Sequence, residues 1–166
     1  LGPVFGLKRK HILSNVKYIY SISFNEFSIL INGDFKFSLI LGDVDDFKKV
    51  NDTYGHAFGD ALLVEVAGRI KSCVRQVDTV SRFGGDEFVI LLSEVDSAEQ
   101  AAVAAEKIRQ SFSTSFQLPS LSLTITASIG VVCAAAATLS TEPLLAMADQ
   151  AMYRAKQLGG NRCIQG

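Results

Sequence analysis

Cysteine is scarce. Only Cys73, Cys133 and Cys163 occur, three in number and widely separated, with no CxxC pair. That excludes a zinc ribbon and a secreted disulfide framework, and fits small thiols in a reducing compartment, the cytoplasm. Long apolar runs are missing: none approaches the ~20 residues of a membrane span. No signal peptide is visible. An excess of one charge is missing too, with 16 Lys and Arg against 17 Asp and Glu. That excludes a broad basic surface for duplex nucleic acid or for a membrane. There is no internal repeat, no low-complexity stretch and no long linker. What is present is an ordinary globular composition: 166 residues, 48% hydrophobic and 20% charged. This length predicts one domain, residues 1–166, with a core that needs no covalent staple. The chain opens at Leu1, not Met; the expectation is a piece of a longer multidomain protein, whose remainder could carry a membrane anchor.

The apolar spacing Leu7, Ile12, Leu13, Val16, Ile19 and Tyr20 predicts a helix over Leu7–Tyr20. Ser21–Ile31 fits a helix or a strand, and Asn32-Gly33 a turn. Phe37–Leu41 reads as a buried strand, followed by a polar helical turn over Asp46–Asp52 and a glycine-containing loop. Ala61–Val74 reads as an amphipathic helix with Leu62, Leu63, Val66 and Ile70 inward. Thr79–Phe83 and Glu87–Leu92 read as strands joined by a Gly84-Gly85 turn. Ala98–Phe112 is a further helix. Leu121–Ala127 and Ser128–Ala134 are two extended segments or one bent strand. Glu142-Pro143 opens a last helix that Gly159-Gly160 stops, and a short strand follows at Ile164. The alternation predicts an α/β (α+β) sandwich on a mixed or antiparallel sheet.

Two acidic groups fall where chemistry is feasible. Asp43, Asp45 and Asp46 follow an apolar strand; Asp86 and Glu87 follow two glycines at a hairpin tip. Carboxylates converging at one sheet edge repel one another and invite a positive charge between them. Oxygen ligands without His or Cys nearby favour Mg²⁺ or Mn²⁺, which commonly keep phosphates as further ligands. Taken singly, each feature is ordinary. Strand-end acids cap or solvate, Lys48 and Lys156 are surface lysines, Asn51 is a loop residue, and His56 is a structural histidine. Met152 and Tyr153 read as core.

Taken together they are not ordinary. The stretch from Asp43 to Asp60 fills every fixed position of D-[IV]-D-x-F-K-x-x-N-D-x-x-G-H-x-x-G-D. Arg82-Phe83-Gly84-Gly85-Asp86-Glu87-Phe88 follows, then Ala148-Asp149-Gln150-Ala151-Met152-Tyr153-Arg154-Ala155-Lys156. In this order the motifs resemble the GGDEF family of diguanylate cyclases, from about Phe37 to Arg162. The resemblance leaves residues 1–36 as a divergent helical segment and 37–166 as the motif-bearing core. It implies a palm-like nucleotidyl cyclase fold, a central, mostly antiparallel sheet flanked by helices. It also implies condensation of two GTP molecules to cyclic di-GMP plus pyrophosphate across a transient homodimer.

By the same resemblance Asp43, the Val44 carbonyl, Asp86 and Glu87 would bind two Mg²⁺ or Mn²⁺ per GTP. Asp86 and Glu87 would be catalytic, Glu87 helping to take the 3′-hydroxyl proton. Asn51 and Asp60 would read guanine, since a carboxylate accepts from N1–H and the 2-amino group. Phe47, Lys48, Gly84, Gly85 and Lys156 would line the triphosphate. Arg75 and Asp78, in the R-x-x-D spacing, would form an inhibitory site for the product. Sensor or phosphodiesterase domains would be partners within the parent chain.

Two departures bear on activity. The family's opening D-x-L-T-G-L-x-N-R is replaced by Gly2-Pro3-Val4-Phe5-Gly6-Leu7-Lys8-Arg9-Lys10. Gly160 stands where the family carries a phosphate-contacting arginine, with Arg162 two positions on. Losing a charge-assisted contact costs about 1.5–3 kcal/mol, roughly 10–100-fold in rate or binding. The alternative to a cyclase is therefore a non-catalytic module that binds GTP or cyclic di-GMP and is attached to an EAL-type phosphodiesterase domain.

Overall fold

The computed structural model describes residues 20–21, 37–95, 97–134 and 141–166. The helix and turn expected over Leu7–Gly33, and the divergent opening stretch, lie outside these residues apart from Tyr20 and Ser21. Those two form β1 (Tyr20–Ser21), so Tyr20 is extended where a helix end was expected; it pairs parallel with Ser81.

The remaining elements run β2 (Phe37–Val44), α1 (Phe47–Tyr54), α2 (His56–Cys73), β3 (Thr79–Gly84), β4 (Glu87–Ser93) and α3 (Ala98–Ser111). Then follow β5 (Phe116–Gln117), β6 (Ser122–Leu123), β7 (Ala127–Ala134), α4 (Thr141–Gln157) and β8 (Cys163–Gln165). One six-stranded sheet has the order β1-β3-β4-β2-β7-β8. Its inner pairs β3–β4, β4–β2 and β2–β7 are antiparallel; only the outer pairs β1–β3 and β7–β8 are parallel. β5 and β6 form a separate two-stranded ribbon. The mixed, mostly antiparallel sheet flanked by helices is the architecture expected.

β2 is central and reads as a continuous apolar run because helices cover both of its faces. Successive side chains alternate sides. Ile40 and Val44 join the core built with α2 and α3 through Leu62, Val66 and Ile108. Leu39 and Leu41 join the opposite core with Leu144, Ala148 and Met152 of α4. β4 splits in the same way: Phe88, Ile90 and Leu92 on one side, Val89 and Leu91 on the other. That parity decides which site residues face α4.

Four expectations need correction. The long helix starts at His56, not Ala61, because Gly55 alone (φ 87°) separates it from α1 and Gly59 is a packed helical residue. The hairpin turn is Gly85-Asp86, not Gly84-Gly85: Gly84 still pairs with Glu87, and it is Gly85 that takes φ 50°. Leu121–Ala127 and Ser128–Ala134 are not one strand; Ser122–Leu123 belongs to the small ribbon, and β7 begins at Ala127, the last residue of the first segment. Tyr153 is not core but 59% exposed, whereas its neighbour Met152 is buried. Among the described residues no helix is long and apolar enough to cross a membrane.

Candidate active site

β2 ends at the acidic stretch, and antiparallel pairing sets its last residues beside the start of β4. Asp43 lies opposite Glu87, and on its other side opposite Ser128 of β7. The Val44 amide donates to the Asp86 carbonyl at 3.2 Å, which ties the hairpin turn to the strand end. Asp43 has the parity of Leu39 and Leu41, and Glu87 that of Val89 and Leu91, so both belong to the α4 side of the sheet. There the Lys156 ammonium, in the last turn of α4, meets Asp43 Oδ2 at 2.8 Å.

Asp43 is only 5% exposed. Burial raises its pKa above the ordinary carboxylate value, the Lys156 bond opposes that rise, and Asp86 and Asp45 reinforce it. Glu87 is raised by burial and by the charges of Asp43, Asp86 and Asp149. Lys156 is raised despite the desolvation that would lower it, because Asp43, Asp86 and Asp45 favour its charged form. Asp149 stands seven residues before Lys156, two turns along one helix face, and was not singled out from the sequence.

A cleft of about 510 Å³ opens here, lined by Asp43, Val44, Phe47, Lys48, Asp86 and Lys156, with Asp46 and Gly160 at its wall. Six of the predicted site residues therefore share one cavity, and Glu87 adjoins it through its pairing with Asp43. The donors available for a metal are all oxygen: Asp43, the Val44 carbonyl, Asp86 and Glu87. Among the described residues no three carboxyl, imidazole or thiol groups are gathered closely enough to hold a metal ion by themselves. An open, partly protein-built set suits Mg²⁺, which keeps waters and phosphate oxygens as ligands. The mutual repulsion that raises Asp43 and Glu87 is what a cation would relieve.

Asn51 on α1 and Asp60 on α2 do not line the cleft, although α1 forms part of its wall through Phe47 and Lys48. The two helices approach so closely that a Cβ placed on Gly59 would lie 1.8 Å from Asn51 Oδ1. That oxygen is enclosed and has no hydrogen-bond partner. A buried unpaired carbonyl costs about 1–3 kcal/mol. Asp60 is exposed, and so is His56, which heads α2. Gly84 and Gly85 are exposed at the hairpin, outside the cleft wall, where Arg82 Nε donates to the Gly85 carbonyl at 2.7 Å.

Asp45 has a structural post that its place in the motif did not reveal. It accepts from Thr126 Oγ1 and Ser128 Oγ, each at 2.6 Å, and from the Asn161 amide at 3.0 Å. It thereby joins the end of β2, the start of β7 and the turn after α4. That turn is a Schellman stop: Gly159 N–H bonds the Lys156 carbonyl and Gly160 N–H bonds the Ala155 carbonyl, both at 3.0 Å. Gly160 has φ 72°, and a Cβ there would stand 3.1 Å from Asp45 Oδ2. Arg162 folds back so that its Nε donates to the Gly160 carbonyl at 3.1 Å.

Arg75 and Asp78 are not part of this group. They lie in the α2–β3 connection, beside Ser93, at the other end of β4 from Glu87. Six strand rises of ~3.3 Å make that about 20 Å. Asp78 is 4% exposed and fully engaged. It accepts from the Arg75 amide at 2.8 Å, the Ser93 amide at 3.0 Å and the Arg75 guanidinium at 3.0 Å.

The sequence pattern described as "Diguanylate cyclase, GGDEF domain" matches residues 13–162. The chain belongs to the GGDEF family. The match begins well before Phe37, inside residues 1–36, but after the altered opening Gly2–Lys10. This GGDEF domain is 44% identical over 131 residues to the bifunctional diguanylate cyclase/cyclic di-GMP phosphodiesterase MucR of Pseudomonas aeruginosa, covering 79% of this chain and 19% of MucR. It is 44% identical over 126 residues to diguanylate cyclase A of Treponema denticola, covering 75% and 34%. The GGDEF domain of YfiN (TpbB) from Pseudomonas aeruginosa superposes with a TM-score of 0.81 at 29% identity, covering 88% of this chain and 96% of that one. The GGDEF domain of DgcB from Caulobacter crescentus, solved in complex with c-di-GMP, gives 0.78 at 26% identity, covering 89% and 92%. The chain spans well under half the length of the two curated relatives named.

Proposed function

We propose that this GGDEF domain is a diguanylate cyclase. Two copies, each holding one GTP, would meet face to face. Each 3′-hydroxyl oxygen bonds to the α-phosphorus of the other nucleotide, two pyrophosphates leave, and two protons are released. The observation that carries this reading is the convergence of Asp43, Asp86, Glu87 and Lys156 on one open cleft at the end of β2.

The residues divide the work. Asp43, the Val44 carbonyl, Asp86 and Glu87 would hold the divalent ions, which supply positive charge to the attacking and leaving oxygens. Lys48 and Lys156 balance the triphosphate. Glu87, its pKa raised by burial and then by its acidic neighbours, is the group placed to take up the 3′-hydroxyl proton. Asp60 accepts from guanine N1–H and the 2-amino group, and adenine would leave it unpaired. Arg75 and Asp78 would bind the product about 20 Å away. Since Asp78 is already saturated, the group there still open to a ligand is the Arg75 guanidinium, whose Nε and Nη2 bond Asp78 and Ser93 but whose side chain is 53% exposed.

A second reading, a nucleotide-binding regulatory module without turnover, is favoured by Gly160. It leaves the cleft wall without the family's arginine.

One assay separates them. The chain at high concentration, alone and fused to a dimeriser, is incubated with GTP and Mg²⁺ or Mn²⁺, and products are resolved by chromatography. The cyclase reading expects cyclic di-GMP, none from Asp86→Ala/Glu87→Ala, and an Arg75→Ala variant that keeps working as product accumulates. GTP binding without product in either form moves the assignment to the regulatory module.

A further inference from the structure

At Gly59 helix α2 lies tight against side chains of α1. A methyl group at this position would overlap Asn51 Oδ1 at 1.8 Å, crowd Asn51 Cγ at 2.9 Å and press on Phe47 Cζ at 3.1 Å. The absent side chain is therefore the space in which the Asn51 amide sits. A second, separate observation concerns the amide itself. Its carbonyl oxygen is enclosed and unpaired, yet Asn51 as a whole is only half-buried. The oxygen is the enclosed end of a planar group, so the amino end is the one left to solvent. No hydrogen bond within α1 or α2 fixes that amino end; the amide occupies the space that the missing Gly59 side chain leaves.

We propose that Gly59 is a specificity-determining positioning residue: by lacking a side chain it seats the Asn51 amide carbonyl-inward and presents the amino group as a donor to the bound base. This rests on the nucleotide reading above and deepens it. A donor at Asn51 and a carboxylate acceptor at Asp60 together fit a base edge that offers both an acceptor and an N–H pair. Guanine offers O6 or a ring nitrogen beside N1–H and the 2-amino group; adenine does not offer that pair to Asp60. Gly59 touches no ligand. It acts through Asn51, so its effect must vanish when Asn51 is removed.

The test uses calorimetry with α,β-methylene GTP, which cannot release pyrophosphate, and the matching ATP analogue as competitor. Gly59→Ala is expected to weaken the guanine analogue by about tenfold or more and to narrow its advantage over the adenine analogue. Asn51→Ala should weaken it similarly, and Asn51→Ala/Gly59→Ala should be no worse than Asn51→Ala alone. The double variant also restores the space, so it reports even if Gly59→Ala folds poorly. Gly68→Ala on the same helix, where a Cβ would meet nothing within 4 Å, should leave binding unchanged. The Asn51 side-chain amide resonances should shift in Gly59→Ala without any ligand present. Unchanged binding and unchanged resonances in Gly59→Ala, or a further loss in the double variant, overturns the inference while leaving the nucleotide reading intact. No binding of either analogue by the unaltered chain overturns both.

Discussion

Asp43 is held in conflict: nearly buried, ringed by Asp45 and Asp86, and partnered by one ammonium. Its folded-state pKa stands above the ordinary 3.8, so the folded protein binds that proton more tightly than the unfolded chain. The linkage therefore runs against folding as pH rises. Below about pH 4 both states are protonated and nothing is lost. From there upward, through the raised pKa, stability falls, and a constant penalty remains at neutral pH. Asp43→Asn carries no such titration. Denaturant unfolding in EDTA, without nucleotide, should show Asn gaining on Asp as pH rises from 4 to 8, and on the proposed function the variant should form no cyclic di-GMP. A stability difference independent of pH would contradict this account. The site is built at some expense of stability, as expected where like charges are gathered for function.

At the scale of elements, the contact between α4 and β7 decides whether Lys156 and Asp149 reach the strand ends. Gly130 of β7 has the parity of Val132, toward α4, and a Cβ there would lie 2.1 Å from the Ala148 carbonyl and 2.6 Å from the Met152 amide. These are backbone atoms, so no rotamer change relieves the clash and the whole helix must move. Overpacking of this kind costs about 1–3 kcal/mol or more. Gly130→Ala should lower Tm by roughly 5–10 °C and reduce turnover, because α4 carries Lys156. Gly42 on neighbouring β2 meets only Ile129 Cγ1 at 3.8 Å. Gly42→Ala should leave Tm within about 2 °C. Equal behaviour of the two variants in a thermal melt would refute the close-approach argument.

For the whole molecule, the cleft's openness has a consequence. On the proposed function one chain would supply metal donors, phosphate cations and a base reader for one nucleotide, so the second substrate would arrive on another copy. Turnover per chain should rise with protein concentration and level off once the fused dimeriser fixes the pairing. Turnover independent of concentration in the unfused chain would mean that a single copy completes the reaction.

Much of this protein was legible in its residues. Hydrophobic alternation and glycine placement located β2, β3, β4, α3 and α4, because these elements carry their own periodicity and stops. The order of acidic, glycine and lysine motifs marked Asp43, Asp86, Glu87 and Lys156, because chemistry restricts residue type at those points. The limits of local signals show equally clearly. Gly59 looked like a loop breaker because sequence cannot show a second helix lying against it. Gly84 looked like the turn because both glycines permit one, and only the pairing with Glu87 chooses between them. Tyr153 looked like core because its rank along the helix says nothing of which face β7 covers. Asp45 and Asp149 owe their roles to groups that folding brings from distant segments. Sequence by itself determined which residues could act and the periodicity of the elements that carry them. Tertiary structure alone decided which side of the sheet each faces, because strand register and helix approach depend on contacts between residues far apart in the chain.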